Sequence, residues 1–209
     1  MFCRNLRSIV DLIILFCWKM LLPRELSCFP LGTSSDMKFY HNDLIVSSAD
    51  LCFFTSVTAL YNNFLAYCSA LTDAHLPPNV TTVPHGCFQY CTAVEEIILH
   101  EGITDFAYRW NFRNCDKLKV LVWPSTLEKI TMETARNCPK LVCVICKSTN
   151  ATGYNSSNAN MFMSSNSNLK IYVPDESVAT YKAAGGWSSY ASKIFGKSDL
   201  PDEFKPYWP

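Results

Sequence analysis

Apolar residues recur along the middle of the chain at a fixed spacing of about two dozen positions. Four cysteines mark the recurrence, separated by 23, 24 and 23 residues: Cys68, Cys91, Cys115 and Cys138. Aliphatic residues follow them three positions later, and further apolar residues follow eight positions later: Leu71, Val94, Leu118 and Leu141, then Leu76, Leu99, Trp123 and Cys146. A period in this range predicts stacked repeats that bury their apolar edges only against one another.

Within one repeat, the pattern predicts a short strand followed by a corner. Ile97 and Leu99 are two positions apart, so both point to the inside, whereas Ile98 between them points to the other side. Proline follows the strand in sister repeats, at Pro77 and Pro124, where it ends the strand pairing. The return limb that closes each repeat is too short for more than about one helical turn.

The end of the periodic region predicts a cap. Leu169, Ile171 and Val173 alternate with polar residues, which indicates a last strand. Asp175 is placed to cap a short helix after it. A second short helix, with apolar residues at helical spacing, is expected to cover the open end of the stack: Trp187, Tyr190, Ala191 and Ile194.

These patterns divide the chain into four segments. Residues 1–44 do not follow the repeat, and residues 45–168 contain four to five repeats with an enlarged polar loop at 148–168. Residues 169–195 form the C-terminal cap. Residues 196–209 contain three prolines and form a tail, which we expect to be a loosely held end or a stub towards something else.

The first segment has the order of a secretory leader, because basic residues precede an apolar run at residues 9–18. Asp11 interrupts that run, which is also shorter than the ~20 residues of a membrane span. Three interpretations stay open: an export leader or membrane anchor, an apolar cap on the first repeat, or a misassigned start. A chain that begins at Met37 would have no address label and would be cytoplasmic.

Composition limits the possible partners. The 209 residues are 49% hydrophobic and 17% charged, which is typical of a folded domain rather than a disordered chain. Eighteen basic and eighteen acidic side chains cancel, so the sequence does not predict a polyanion-binding surface. Nucleic acid is therefore not an expected partner.

The chain has eleven cysteines, and their chemistry needs separate consideration. The period favours a ladder of small buried thiols, while disulfides between neighbouring repeats stay open because such repeats lie about 5 Å apart. Cys143 and Cys146 form a Cys-x-x-Cys pair without a second pair, so no metal site is predicted. A cysteine nucleophile needs a histidine beside it, and His85, near Cys87 and Cys91, is the weak candidate. No cofactor is expected.

The repeat, aromatic-x-x-Cys-x-x-Leu-x-x-Ile-x-Leu-Pro-x-x-Val-x-x-Ile, resembles the bacterial surface-antigen, or BspA-like, leucine-rich repeat. The resemblance covers roughly residues 45–195, and its most specific part is the ending at residues 169–174 and 177–191. It implies an α/β leucine-rich-repeat solenoid that is strand-dominated, with short return-limb turns and a small helical C-terminal cap. It also implies a cell-surface or extracellular protein used for attachment or protein recognition, without catalysis.

Strand positions on the solvent side predict a candidate binding surface. Residues five and seven positions after the cysteines, with their equivalents in the last strand, are expected to line up as an exposed strip: Glu96, Ile98, Val120, Val122, Ile145, Lys170 and Tyr172. Contiguous apolar residues at a surface often mark a contact site. The alternative is the ordinary preference of strands for such residues.

The sequence therefore favours a non-catalytic protein-recognition or adhesion module of a bacterial surface or secreted protein. Its expected partner is a protein, from the host or a cell surface, and a membrane is expected only through an N-terminal anchor. A structural spacer, or a fragment of a larger repeat array, is the second hypothesis. A cysteine-dependent hydrolase is the third.

Overall fold

The structure is a computed structural model that describes residues 57–151 and 160–209, together with Ser47 and Thr55. The predicted leader or cap at 1–44 lies outside these residues, as do residues 152–159 of the predicted loop at 148–168. The described strands are β1 (Thr82–Val83), β2 (Glu96–Ile98), β3 (Asp105–Phe106), β4 (Val120–Trp123), β5 (Cys143–Cys146), β6 (Lys170–Val173) and β7 (Ile194–Gly196). One α-helix, α1 (Val178–Ala183), is accompanied by 3-10 helices at Asp175–Ser177, Ser188–Lys193, Lys197–Asp199 and Asp202–Tyr207.

Five of these strands form one parallel sheet in the order β2, β4, β5, β6, β7. Residues at equivalent positions of successive repeats pair directly in it: Ile97 with Leu121, Leu121 with Val144, Val144 with Ile171, and Ile171 with Ile194. Ala74 continues the row through an isolated parallel bridge to Ile97. Because all these residues are buried, the row forms the inner wall of the core.

Buried thiols link each repeat to the one before it. Cys91 Sγ donates a hydrogen bond to the carbonyl oxygen of Leu65 at 3.1 Å, and Cys115 Sγ donates to that of Phe88 at 3.2 Å. Cys138 repeats the contact with Phe112. In every case the acceptor lies three residues before the ladder cysteine of the preceding repeat. The described cysteines are all free and buried, so the predicted thiol ladder is confirmed.

A serine extends this ladder by one repeat. Ser165 Oγ donates to the carbonyl oxygen of Ala135 at 2.7 Å, which is the bond that each thiol makes one repeat earlier. It also accepts a hydrogen bond from the Cys138 amide at 3.1 Å. The polar loop lengthens this repeat to 27 residues and a hydroxyl replaces the thiol, so the cysteine period does not reveal the position.

Aromatic side chains fill the space behind the inner wall. The rings of Phe88 and Phe112 stack at 5.8 Å between centroids, one repeat apart. Trp123 packs edge-on against Phe106 and Trp187, at 5.4 and 6.3 Å. This places the cap residue Trp187, which is fully buried, on the end of the core as predicted.

The cap differs from the prediction in two details. Ile194 belongs to strand β7 and not to a second helix, because the 3-10 helix before it ends at Lys193 and the chain then pairs with β6. This pairing covers the edge that β6 would otherwise expose. Asp175 caps no helix; its carboxylate accepts hydrogen bonds from Ser198 N and Oγ at 3.0 and 2.8 Å.

Candidate recognition surface

The predicted strip residues lie on one face of the sheet in direct register. Ile98 pairs with Val122, Val122 with Ile145, and Ile145 with Tyr172. The second row pairs in the same way: Glu96 with Val120, Val120 with Cys143, and Cys143 with Lys170. We call this side, opposite the inner wall, the outer face. The predicted alignment of its residues is confirmed.

The predicted exposure of this strip is wrong for four of its residues. Val120, Val122, Ile145 and Tyr172 are each 3% exposed or less. They form a second apolar cluster together with Leu200. The reason is that residues 197–209, which we call the tail, fold back over the outer face instead of forming a loose end.

Tail side chains supply this cover. Leu200 is buried in the cluster, and Phe204, Tyr207 and Trp208 pack against it while staying partly exposed. The Tyr207 hydroxyl lies near the Glu96 carboxylate on β2, the strand farthest from β7 in this sheet. The tail therefore extends across the sheet towards β2.

Polar contacts fix the tail where it leaves the sheet. The hydrogen bonds from Ser198 hold the pKa of Asp175 below its usual range. The Gly196 amide donates to Asp199 Oδ2 at 3.2 Å. Lys197 Nζ donates to the carbonyl oxygen of Pro209 at 3.1 Å and lies 5.3 Å from the centre of the Trp208 ring. The start of the tail is thus bonded to the cap, and Pro209 is bonded back to that start.

Titratable groups between tail and sheet are neutral at physiological pH. Burial raises the pKa of Cys143 to about 12, and the negative charge of Glu203 adds to the shift. Burial also raises the pKa of Tyr172 to about 12. The pKa of Tyr207 is raised to about 12 as well, first by burial and then by its hydrogen bond to Glu96. The covered part of the outer face is therefore uncharged.

Comparison with known families decides the class of the protein. The sequence model of the BspA-type leucine-rich repeat region matches six copies over residues 58–183, more than half of the chain. The chain belongs to this family. No curated protein matches the sequence at a significant level. The tail lies beyond the residues that match the BspA-type repeat.

Three strip residues of this BspA-type array are not covered. Ile98 is 48% exposed, and Glu96 and Lys170 are exposed at opposite parts of the outer face. Lys170 Nζ lies 5.5 Å from the centre of the Phe195 ring. The uncovered part of the outer face therefore consists of one apolar and one acidic residue on β2, Ile98 and Glu96, and one basic residue on β6, Lys170.

The sequence contained a signal for the tail that the repeat analysis did not use. Leu200, Phe204 and Tyr207 are spaced at i, i+4 and i+7, which places them on one side of a helical segment. They fall in the 3-10 helix Asp202–Tyr207 and just before it. The three prolines of this segment argue against a further repeat, but they do not indicate which of its residues are buried.

Several buried thiols of the BspA-type repeats have pKa values that are unsuited to nucleophilic catalysis. Burial raises the pKa of Cys87, Cys91 and Cys115 above the usual range. Burial raises the pKa of Cys146 to about 11, although its contact with the Tyr181 hydroxyl at 3.2 Å opposes the rise. A reactive cysteine requires a lowered pKa. The described thiols therefore give no support to the hydrolase hypothesis.

Neither a metal site nor a membrane-spanning helix is found in the part of the chain that the structure describes. Among the described residues, no group of three histidine, cysteine or acidic side chains is arranged to hold a metal ion. None of the described helices combines the length and hydrophobicity that a membrane crossing needs.

Proposed function

We propose that this chain is a non-catalytic protein-recognition module, wound as a solenoid, that binds a short segment of a partner protein on the outer face of its sheet. One observation carries the proposal: that face already holds a segment of this kind, the tail. Val120, Val122, Ile145 and Tyr172 form its apolar floor. Glu96, Ile98 and Lys170 border it.

The tail indicates the chemistry of such a partner. It offers Leu200, Phe204 and Tyr207 to the floor and directs a hydroxyl to Glu96. A partner segment that displaces it needs apolar or aromatic groups at similar spacing and a hydrogen-bond donor for Glu96. An acidic residue near Lys170 would add a charge contact at the opposite part of the face.

Adhesion at a bacterial surface is the biological setting that we propose for this recognition, with a host or cell-surface protein as partner. Members of the BspA-type family are often surface or extracellular proteins, which supports this location. Fractionation of cells that express the native protein would test it. Recovery only in the cytoplasm would contradict the surface role.

A labelled peptide with the sequence of residues 197–209 tests the recognition face. The full-length chain with Leu200→Asp should release its own tail and bind this peptide, whereas the wild-type tail competes at the millimolar effective concentration of a short tether. We expect at least about tenfold tighter binding to the variant in fluorescence polarisation. Tyr172→Ala, added to the Leu200→Asp variant, should reduce this gain in affinity, because it removes part of the apolar floor.

Lys205→Ala provides the matched control, since Lys205 is exposed on the same tail. It should leave peptide binding at the wild-type level. Equal affinity of the peptide for wild type and Leu200→Asp would contradict a face that can accept a segment from outside.

A structural spacer is the second candidate, and the same cover favours it if the tail never leaves the sheet. Amide hydrogen exchange separates the two functions. Tail amides that exchange as slowly as those of β4 and β5 would support permanent closure. Faster exchange confined to residues 197–209 would support recognition.

A further inference from the structure

Every arginine in the described part of the chain lies in one cluster on the return limbs. Arg109 and Arg113 belong to one repeat and Arg136 to the next, whereas lysines are spread over the rest of the surface. Tyr108 and Trp110 flank Arg109 in sequence. Arginine, tyrosine and tryptophan are the residues enriched at the centres of protein interfaces, where lysine is depleted. We call these five residues the arginine–aromatic cluster.

The side chains of this cluster contact one another closely. The Arg109 guanidinium lies 4.7 Å from the centre of the Tyr108 ring and 5.4 Å from that of Trp110. The Arg113 guanidinium lies 4.6 Å from the Trp110 ring. Tyr108 is nevertheless 67% exposed, the most exposed large hydrophobic residue of the described chain. The cluster thus presents aromatic surface to solvent between positive charges.

Backbone conformation holds the two aromatic residues in place at a cost. Tyr108 and Trp110 have φ of 59° and 64°, in the left-handed region that bulky residues rarely adopt. Trp110 Nε1 donates a hydrogen bond to Glu133 Oε2 at 2.6 Å, which fixes the ring. Gly86 and Glu133, the residues equivalent to Trp110 in the neighbouring repeats, have the same conformation, so at Trp110 it belongs to the turn of the repeat, whereas the described residues equivalent to Tyr108 do not share it.

Charge in the cluster is not balanced. Glu133 forms an ion pair with one of the three arginines: Arg136 Nη1 donates to it at 3.1 Å. Burial alone would raise the pKa of Glu133, but the hydrogen bonds from Trp110 and Arg136 lower it below the usual range. Among the described residues, neither Arg109 nor Arg113 has a carboxylate within ion-pair distance. Three cations therefore surround one anion.

Two guanidinium nitrogens in the cluster also lack partners. Arg113 Nε and Arg136 Nε are buried without a hydrogen-bond acceptor in the described chain. A buried donor left unpaired is destabilising and unusual, so it calls for an explanation. Because these two nitrogens are shielded from solvent, a ligand carboxylate would pair with the outer nitrogens of the same planar guanidinium groups, for which it is the matching acceptor.

A shallow groove begins at Arg113 and offers space for such a ligand. It has a volume of about 520 Å³, and its walls include Tyr90, Asn114 and Asn137. Asn137 Nδ2 donates to Asn114 Oδ1 at 2.9 Å, so the asparagines form an ordered wall one repeat long. Asp116 also lines the groove, which directs an acidic ligand to the arginine end.

We infer that the arginine–aromatic cluster is a second recognition surface, which binds an acidic segment of a partner protein. A ligand carboxylate pairs with Arg113 and Arg109, an apolar ligand side chain covers Tyr108 and Trp110, and the adjoining chain enters the groove. This surface does not depend on the outer face of the sheet. Stacking aromatics and arginines also suit single-stranded nucleic acid, but the zero net charge of the chain argues for protein.

A labelled peptide of alternating glutamate and phenylalanine tests the inference on the full-length chain. We expect saturable binding to wild type that weakens at least about tenfold in Arg109→Gln/Arg113→Gln, because each charge-assisted hydrogen bond contributes about a tenfold factor. Arg113→Lys keeps the charge but not the fork, so it should lose part of this affinity. Tyr108→Ala should weaken binding without a change in net charge.

One matched control removes the same number of positive charges at another place, and a second disrupts the outer face. Lys119→Gln/Lys129→Gln takes away two exposed cations elsewhere and should bind as wild type does. Leu200→Asp, which releases the tail, should also leave this binding unchanged, so failure here is distinct from failure at the outer face. Circular-dichroism melts confirm that each variant is folded.

Three outcomes would overturn the inference. One is the absence of binding to wild type, and another is equal binding to wild type and the double arginine variant. The third is preference for a labelled single-stranded oligonucleotide, or for the matching lysine–phenylalanine peptide, over the acidic peptide.

Discussion

The two faces of the same sheet are covered in different ways. The inner face is made of residues such as Leu121 and Val144, and every repeat covers it with its own return limb and aromatic side chains. The outer face has similar residues, such as Val122 and Ile145, but the tail alone covers them, and Ile98 stays exposed. Stability on the inner side is therefore shared among repeats, whereas cover on the outer side depends on a single attachment.

The largest expected loss of stability comes from a substitution in the core behind the inner face. Trp123→Ala removes a fully buried ring that contacts Phe106, Phe162 and Trp187, and it leaves a cavity between the repeats and the cap. We expect a loss of about 3–5 kcal/mol in the free energy of unfolding, measured by urea denaturation. Ile98→Ala, on the half-exposed edge of the outer face, should cost less than about 1 kcal/mol. Equal losses would mean that the two faces do not differ as described.

An intermediate effect is expected when the outer cover is released. Leu200→Asp places a charge in the apolar cluster, and we expect it to cost about 1.5–3 kcal/mol, because the tail detaches while the inner core stays folded. Cys143, which is fully buried on the outer face, should then react with a thiol reagent under native conditions. Cys115 on the inner side should stay protected. Peptide mapping by mass spectrometry distinguishes the two, and parallel reactivity of both would indicate global unfolding instead.

The smallest effect concerns alkaline pH. The pKa values of Tyr172 and Tyr207 are raised from 10.0 to about 12 in the folded protein. Both tyrosines therefore favour the attached tail while they are protonated, and this contribution falls away as the pH rises from about 10 towards 12. Hydrogen exchange of the tail should accelerate over this range before the core does. Tyr207→Phe, which cannot ionise, should reduce the acceleration, and an unchanged pH profile in this variant would show that Tyr207 does not carry it.

The features that could be predicted from the sequence are those that recur in every repeat. The inner row, the thiol ladder and the alignment of outer residues all follow from equivalent positions that recur at one period, and each was found in the structure. Ser165 was missed because a longer loop and a change from thiol to hydroxyl hide it from the period. Ile194 was assigned to a helix because its spacing from Trp187 and Tyr190 suits a helix, while pairing with β6 decides its conformation.

The recognition surfaces are harder to predict, because neither follows from the repeat pattern alone. Alternation shows which side of a strand a residue faces but not what covers that side, so the tail over Val122 and Tyr172 could not be derived from it. The arginine–aromatic cluster depends on side chains that meet across neighbouring return limbs, such as Trp110 and Glu133. Trp110 and Glu133, like Arg113 and Arg136, occupy equivalent positions 23 residues apart, so the period shows that they are neighbours but not that their side chains interact.

The tail closes on itself as well as on the sheet. Tyr207 comes near Glu96 on β2, whereas the carbonyl oxygen of Pro209 accepts a hydrogen bond from Lys197, directly after β7. The tail therefore forms a loop over the outer face, and Lys197 joins its two limbs. Loss of the contacts of Lys197 with Trp208 and Pro209 would free this loop as one unit rather than residue by residue.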